Sequence, residues 1–328
     1  MRGSSDRTPI VPLPPDPARI RQLKAATSID RMLVDAKGWR WARLQLRRQF
    51  SPYYWYRPPA WKVALRAVDA RRLAPSFLSL GAARSGTTLL SDYLMQHPCV
   101  ALPLAKEITL SGNQRLISGQ FPHARQAEAI RQRHGMVLTG YCPPAIPNLL
   151  FPSLIASLTG NTDLKFLILL RNPVDRTFSH YKWERHLIGQ SSPSLIDKIP
   201  TFRAIVELEV EAAQSFATSG ALHLSGAGTG GFLQESIALP FLKTLFRHWD
   251  RASALVIDSD DFFRMPGQVS QRAYRFLGLP EYEPVELPVR NAGVAGDMDP
   301  EARRMLHDFF APLNRELFDF LGEDFGWS

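Results

Sequence analysis

Cysteine is nearly absent from this 328-residue chain: Cys99 and Cys142 are its only two, and neither belongs to a C-x-x-C pair or stands beside spaced histidines. That excludes a disulfide framework and a cysteine-built zinc site. No apolar run reaches the ~18 residues of a membrane span. The first thirty residues also lack the apolar stretch of a secretory signal, so the expected compartment is the reducing cytoplasm. Acidic residues are scarce at one end only. Residues 1–76 hold sixteen Lys and Arg against five Asp and no Glu, whereas the other 252 hold 23 basic and 26 acidic residues. The formal net charge of +8 therefore belongs to the N-terminal segment. A nucleic-acid-coating module, whose basic footprint would run over the folded domain, is excluded.

What is present suffices for a sizeable core: 45% of residues are hydrophobic and 21% charged. Residues 1–17 carry five prolines and almost no apolar pattern, and are expected to form a disordered tail. Residues 18–74 read as a basic, aromatic, helical extension, broken at Ser51-Pro52 and Pro58-Pro59. It holds four of the seven tryptophans, Trp39, Trp41, Trp55 and Trp61, with Tyr53, Tyr54 and Tyr56 among them. Such interleaving suits a membrane surface or an anionic polymer, but the first expectation is a helical extension packing its aromatics on the main domain.

From residue 75 onward, short apolar runs at 77–81, 99–103, 136–140, 165–171 and 253–259 alternate with helical segments. Helices are expected at about 87–96, 173–188, 203–217, 232–249, 268–277 and 299–322. The pattern predicts an α/β domain over 75–328: a P-loop-type parallel sheet of about five strands, flanked by helices on both faces.

Two segments carry chemistry. The first apolar run enters Gly81-Ala82-Ala83-Arg84-Ser85-Gly86-Thr87-Thr88 and then a helical LLSDYLMQH. Strand, glycine-bounded loop and helix let successive backbone N–H groups and a helix N-terminus enclose a phosphate. The frame is G-x-x-x-x-G, but Thr87 stands where a nucleotide triphosphatase has Lys, and Arg84 is the replacement cation. A tight connection with no ligand is the bland reading of this loop. The second segment is FLILLRNPVDRTFSHY, residues 166–181, with Arg171 at a strand end and Pro173 suited to a first helical turn. Ser179 then lies almost two turns in, and Arg171 with Ser179 offers hydrogen bonds to a second phosphate. Singly, the two read as a strand-end charge and a helix filler. Together with the loop they describe one ligand with two separated anionic groups.

At these residues the chain resembles the 3′-phosphoadenosine 5′-phosphosulfate (PAPS)-dependent sulfotransferases, most closely the branch with the heparan sulfate 3-O- and N-sulfotransferases and their bacterial relatives. R-S-G-T-T resembles that family's 5′-phosphosulfate loop, and R-N-P-x-x-R-x-x-S-x-Y its 3′-phosphate motif. Met298-Asp299-Pro300 and the ending P-L-N-R-E-L-F-D-F-L-G-E-D-F-G-W resemble its last helix and terminal F-x-W, so the likeness runs from about Phe77 to Trp327.

The resemblance implies in-line sulfuryl transfer from PAPS to a hydroxyl, or to an amine, of a small-molecule or glycan-like acceptor. The product would be 3′-phosphoadenosine 5′-phosphate (PAP), with no metal required. It implies that Arg84 stands for the loop Lys that stabilises the leaving group, and that Ala83, Ser85, Gly86, Thr87 and Thr88 enclose the 5′-phosphosulfate. Arg171 and Ser179 would hold the 3′-phosphate, and Glu107, beside Lys106, would be the general base. His180 and His186 are the rival bases, read otherwise as surface residues.

Three departures bear on this. Cys142 replaces a family Lys, a cation that Lys106 could supply. Ala238 replaces an aromatic two residues after Ser236, and the disulfide of Golgi members is missing. Two other readings stay open: a P-loop kinase with Asp258 holding Mg²⁺, and a noncatalytic membrane or nucleic-acid binder acting through residues 18–74. The GAGTGG stretch at 226–231 is expected to be a loop beside the acceptor cleft. Partners are expected to include no nucleic acid, and peripheral membrane contact through residues 18–74 fits the extension.

Overall fold

A computed structural model describes residues 12–25, 36–54, 57–69, 71–108, 113–142, 152–153, 155–156, 163–219, 231–286 and 296–327. Four parallel strands, β1 (Phe77–Gly81), β2 (Gly140–Tyr141), β3 (Lys165–Leu170) and β4 (Ala254–Asp258), lie in the order β2-β1-β3-β4 and are flanked by helices. All five residues of β1 and five of the six in β3 are buried. Continuous apolar burial of this kind, without alternation, is what a covered parallel sheet requires. The chain divides into two compact units, 1–78 with 90–143 and 265–288, and 79–89 with 144–264 and 289–328.

The first unit contains α1 (17–25), α2 (Gly38–Gln49), α3 (Ala60–Ala67), α5 (Gln114–Ser118), α6 (Ala124–His134), α11 (Pro266–Leu277) and most of α4 (Thr87–Gln96). Here Phe77 and Leu78 of β1 pair with Gly140 and Tyr141. A Cβ on Gly140 would sit 2.4 Å from the Phe77 carbonyl oxygen, so only glycine fits there. Among the described residues the sheet has four strands rather than the expected five or so. Residues 99–103 are buried but make a single bridge, Val100 to Leu138, with Ala101 donating to the Leu138 carbonyl at 2.7 Å. Pro98 and Pro103 bound this run and lack the N–H that a longer ladder needs.

Within the tail expected over 1–17, Leu13 bridges Tyr282 and residue 17 opens α1. The extension's aromatics divide. Tyr53 and Tyr54 are buried, Tyr54 against Leu104 and Ala105, whereas Trp39, Trp41 and Trp61 are exposed. Trp55 and Tyr56 lie outside the described residues.

The second unit holds the rest of β1, then β3 and β4 in register from Phe166↔Ala254 to Leu170↔Asp258. Its helices are α7 (Pro173–Ser191), α8 (Phe202–Ser219), α9 (Leu239–Leu245), α10 (Ser259–Arg264) and α12 (Pro300–Leu321). Asn172 caps α7 by accepting from the Val174 N–H at 3.0 Å, with Pro173 in the first turn. Asp299 caps α12 in the same way, through Ala302. Val174, Tyr181, Val206, Leu306 and Phe310 form the core between α7, α8 and α12.

The helix expected at 232–249 is shorter, a single 3₁₀ turn at Gln234–Ser236 followed by α9. The Glu209 carboxylate takes the N–H groups of Phe232 and Leu233 at 3.1 and 2.8 Å, and Pro240 restarts the helix. Among the described residues no helix is long and apolar enough to cross a membrane.

Candidate anion-binding site

The glycine-bounded loop lies between β1 and α4, within the second unit. Its conformation demands its glycines. A Cβ on Gly81 would sit 2.7 Å from Thr87 Cγ2, and one on Gly86 2.9 Å from the Phe263 ring. Arg84 at φ +72° and Gly86 at φ +86° are both left-handed, two residues apart. Left-handed residues interrupting a tight turn make successive N–H groups converge into an anion-binding concavity. For Arg84 that conformation costs about 1 kcal/mol or more, and its contacts over-determine it.

Those contacts join the two sequence motifs. Arg84 Nε donates to Ser179 Oγ at 3.2 Å, and its guanidinium lies 4.9 Å from the Trp183 ring centre. An Arg171 guanidinium N–H donates to the Arg84 carbonyl at 2.8 Å. Arg84, Arg171 and Ser179 thus converge in one place. The neighbouring loop carbonyls are also occupied, Ala83 by Arg176 at 3.2 Å and Ser85 by the buried Ser259 hydroxyl at 2.8 Å. Carbonyl oxygens free to face a bound anion would repel it, and donors on three successive ones remove that repulsion. Thr87 and Thr88 stand half-buried at the start of α4.

Arg171 closes β3 with its side chain 19% exposed. Its Nε is buried with no hydrogen-bond partner among the described residues, 3.8 Å from Asp260 Oδ1, and Phe263 lies 5.3 Å from the guanidinium. Burial lowers the Arg171 pKa, opposed by Asp260 and Asp175. A buried N–H without an acceptor is rare in a folded protein and is satisfied when a charged oxygen arrives. The small cleft here is lined by Ala82, Ser85, Leu170, Arg171, Arg176 and Ser236, with Ala238 and Trp327 beside them.

Arg176, the second arginine of R-N-P-x-x-R, joins the same cluster. It is 1% exposed, donates to Ser236 Oγ at 2.6 Å, to Glu235 at 3.2 Å and to the carbonyls of Ala83 and Phe232, and lies 3.3 Å from His180 Nδ1. Burial pushes its pKa down to about 10, against the pull of Glu235. In sequence only its i, i+5 offset from Arg171 marks it, and nothing local distinguishes it from a surface arginine. His180 is likewise part of this network and not a surface residue, with Glu235 3.4 Å away and its ring edge-on to Phe232. His186 is exposed.

Lys106 and Glu107 lie in the first unit. The buried ammonium of Lys106 pairs with Glu107 Oε1 at 2.8 Å. The Lys106 N–H donates to the Tyr54 carbonyl, and the Lys106 carbonyl accepts from the Cys142 N–H at 3.1 Å. Cys142 therefore has a buried lysine as its hydrogen-bonded backbone neighbour.

Asp258, the kinase reading's metal ligand, caps α10. Its Oδ1 accepts from the N–H groups of Asp260 at 2.6 Å and Asp261 at 3.4 Å, and its Oδ2 from the Trp327 indole at 3.4 Å. Among the described residues, no three His, Cys, Asp or Glu side chains are grouped so as to hold a metal ion. Of GAGTGG, residues 226–230 lie outside the described residues.

No protein-family profile matches the chain. The membrane-associated sulfotransferase kil1 of Dictyostelium discoideum is 24% identical over 318 residues, covering 77% of this chain and 66% of that protein. The chain thus spans just under two thirds of the length of this curated relative. Among solved structures, a sulfotransferase from Alicyclobacillus acidocaldarius superimposes with a TM-score of 0.54 at 23% identity, over 78% of this chain and 99% of that one. Mouse sulfotransferase SULT7A1 complexed with PAP matches more distantly, with a TM-score of 0.37 at 12% identity, over 77% of this chain and 69% of that one. In sequence this chain is similar to a membrane-associated sulfotransferase, and it carries the fold of the Alicyclobacillus sulfotransferase.

Proposed function

We propose that the chain is a PAPS-dependent sulfotransferase that transfers the sulfuryl group to a hydroxyl of a carbohydrate or glycan-like acceptor, with an amine as the second acceptor class. The observation that carries this reading is the convergence of Arg84, Arg171 and Ser179 on a glycine-bounded loop, with one buried Arg171 N–H that has no acceptor among the described residues. Residues Ala83 to Thr88 enclose the 5′-phosphosulfate through their backbone N–H groups, that of Ser85 excepted because it donates to the Ala82 carbonyl at 3.1 Å, and Arg171 with Ser179 holds the 3′-phosphate. The site residues fit such a ligand, since the loop is built around positive φ angles and its carbonyls are already neutralised.

In the transfer, the acceptor oxygen forms a new S–O bond as the bond from sulfur to the 5′-phosphate oxygen breaks. The acceptor proton passes to Glu107, and PAP departs with its developing charge offset by Arg84, which stays protonated throughout. Glu107 is assigned on the likeness of its segment to the family's, and Lys106 is its paired cation. We place the reaction in the cytoplasm, with peripheral membrane contact through residues 18–74 in line with the name of the Dictyostelium relative, and with no nucleic-acid partner.

The test is transfer of radiolabelled sulfuryl from PAPS to a panel of sugars, amino sugars and short glycans in excess chelator. Labelled product is expected, with Glu107→Gln reducing turnover by about 10²–10⁴-fold at nearly unchanged PAP affinity. Full activity of Glu107→Gln would remove the base assignment. No transfer to any acceptor, together with no PAP binding, would remove the reading itself.

A further inference from the structure

A helix at a protein surface normally turns its apolar stripe toward the core. In the first unit, α2 and α3 turn theirs outward. Along α2 and its C-cap, Trp39, Leu46 and Phe50 share one face at i, i+7 and i+11, and are 83%, 62% and 71% exposed. Along α3 and its C-cap, Trp61, Leu65 and Val68 share one face at i, i+4 and i+7, with exposures of 48%, 64% and 84%. Leu44 is the single buried residue of α2, and α3 has none. The two helices touch beside these faces, where the Trp61 indole N–H donates to Gln49, next to Phe50, at 2.8 Å.

Between Asp35 and Asp69 the charge is of one sign. Residues 36–68 contain eight Lys and Arg and no Asp or Glu. Arg43 lies within the α2 stripe, one turn past Trp39, and Arg40 and Arg47 flank it, all three exposed. Aromatic and aliphatic side chains bordered by arginines match the boundary between acyl chains and anionic headgroups, where tryptophan rings settle and basic residues meet phosphate. A nucleic-acid groove would use the arginines and stack the rings, but it has no use for Leu46, Leu65 and Val68 on the same face. At twelve residues, α2 is about 18 Å long, enough to lie in the interface and too short to span it.

We propose that α2 and α3 form a docking surface for an anionic lipid bilayer, with Trp39, Leu46, Phe50, Trp61, Leu65 and Val68 entering the acyl boundary and the arginines holding headgroup phosphates. This deepens the peripheral placement above and rests on it alone. Sulfuryl transfer can fail while lipid binding stands, and the reverse.

The test is co-sedimentation of the full chain with vesicles of pure phosphatidylcholine and with vesicles that are roughly one third phosphatidylglycerol. Binding to the anionic vesicles alone is expected, with a blue shift of tryptophan emission and partial release by salt. Leu46→Gln, Phe50→Gln and Leu65→Gln combined should lower partitioning at least about tenfold at an unchanged thermal unfolding midpoint. If the combined variant does not fold, Phe50→Gln alone should give about a threefold loss. Equal binding to both vesicle types, no binding to either, or variants that sediment like the parent protein would overturn the proposal. A dimer that the combined variant turns into a monomer would assign the face to a second copy. Duplex DNA bound more tightly than vesicles, and lost in the same variant, would assign it to nucleic acid.

Discussion

Arg84 Nε donates to the Ser179 hydroxyl at 3.2 Å, across 95 residues of sequence. This one hydrogen bond joins the glycine-bounded loop to the second turn of α7, and Arg171 closes the same circuit through the Arg84 carbonyl. Two cations stand close together here, each held by protein oxygens. A doubly anionic ligand would take over those donors and relieve the repulsion between the guanidinium groups.

Arg171→Ala should therefore weaken PAP binding by roughly 10²–10³-fold, because it removes a largely buried, fork-shaped donor from a desolvated phosphate. Arg171→Lys should recover only part of the loss, since an ammonium cannot serve the Arg84 carbonyl and a phosphate in the same plane. Calorimetric titration reads both variants. Unchanged affinity in Arg171→Ala would separate this residue from the anion site.

Arg176 governs stability more than binding. Arg176→Met should lower unfolding free energy by roughly 3–5 kcal/mol, because Glu235 and the carbonyls of Ala83 and Phe232 lose their buried partner. Adding Glu235→Gln to that variant should recover part of the loss, as the uncompensated charge goes. Urea unfolding measures both, and equal stabilities for Arg176→Met and the parent chain would refute the assignment.

The parts legible in the sequence were those set by local chemistry. The β1-loop-α4 unit, Pro173 at the start of α7 and the reach of Ser179 toward the loop each follow from a few neighbouring residues, and the structure places them together. Long-range competition decided the rest. Residues 99–103 have the composition of a strand, but Pro98 and Pro103 limit them to one bridge. Residues 232–236 have a helical pattern, but Glu209, Arg176 and Thr177 draw on their N–H and carbonyl groups. Tyr53 and Trp39 belong to the same basic stretch, yet only tertiary packing separates the buried ring from the exposed one.

His97 predicts an acid-sensitive first unit. It is fully buried, its Nδ1 accepts from the Cys99 N–H at 3.1 Å, and its Nε2 lies 3.0 Å from the Pro280 carbonyl, the geometry of a neutral ring protonated at Nε2. Burial above all, with the positive charges of Arg19 and His134, pushes its pKa down to about 4, against the pull of Pro280. The unfolded chain therefore binds the proton first as pH falls. Stability should be full above about pH 6.5 and decline by up to about 3 kcal/mol toward pH 4. His97→Gln should flatten that part of the profile, as measured by urea unfolding between pH 7 and 4.5. Parallel profiles for parent and variant would show that His97 does not set it.

Asp258→Asn should change little, since its amide oxygen takes the place of the capping Oδ1 and only the long 3.4 Å contact from the Trp327 indole, which an NH2 group cannot accept, is lost. Stability within about 0.5 kcal/mol and unaltered PAP affinity are expected, whereas Asp258→Ala should cost about 1 kcal/mol. A collapse of nucleotide binding in Asp258→Asn would restore a metal-holding role to this carboxylate.

The central claim is that the Arg84, Arg171 and Ser179 cluster takes the two phosphates of a 3′-phosphorylated nucleotide. Calorimetric titration of the full chain with PAP, ADP and ATP in excess chelator tests it most directly. Tight binding of PAP without metal, lost when the 3′-phosphate is absent as in ADP, is the predicted result. A preference for ATP that appears only on adding Mg²⁺, or no binding of PAP, would contradict it.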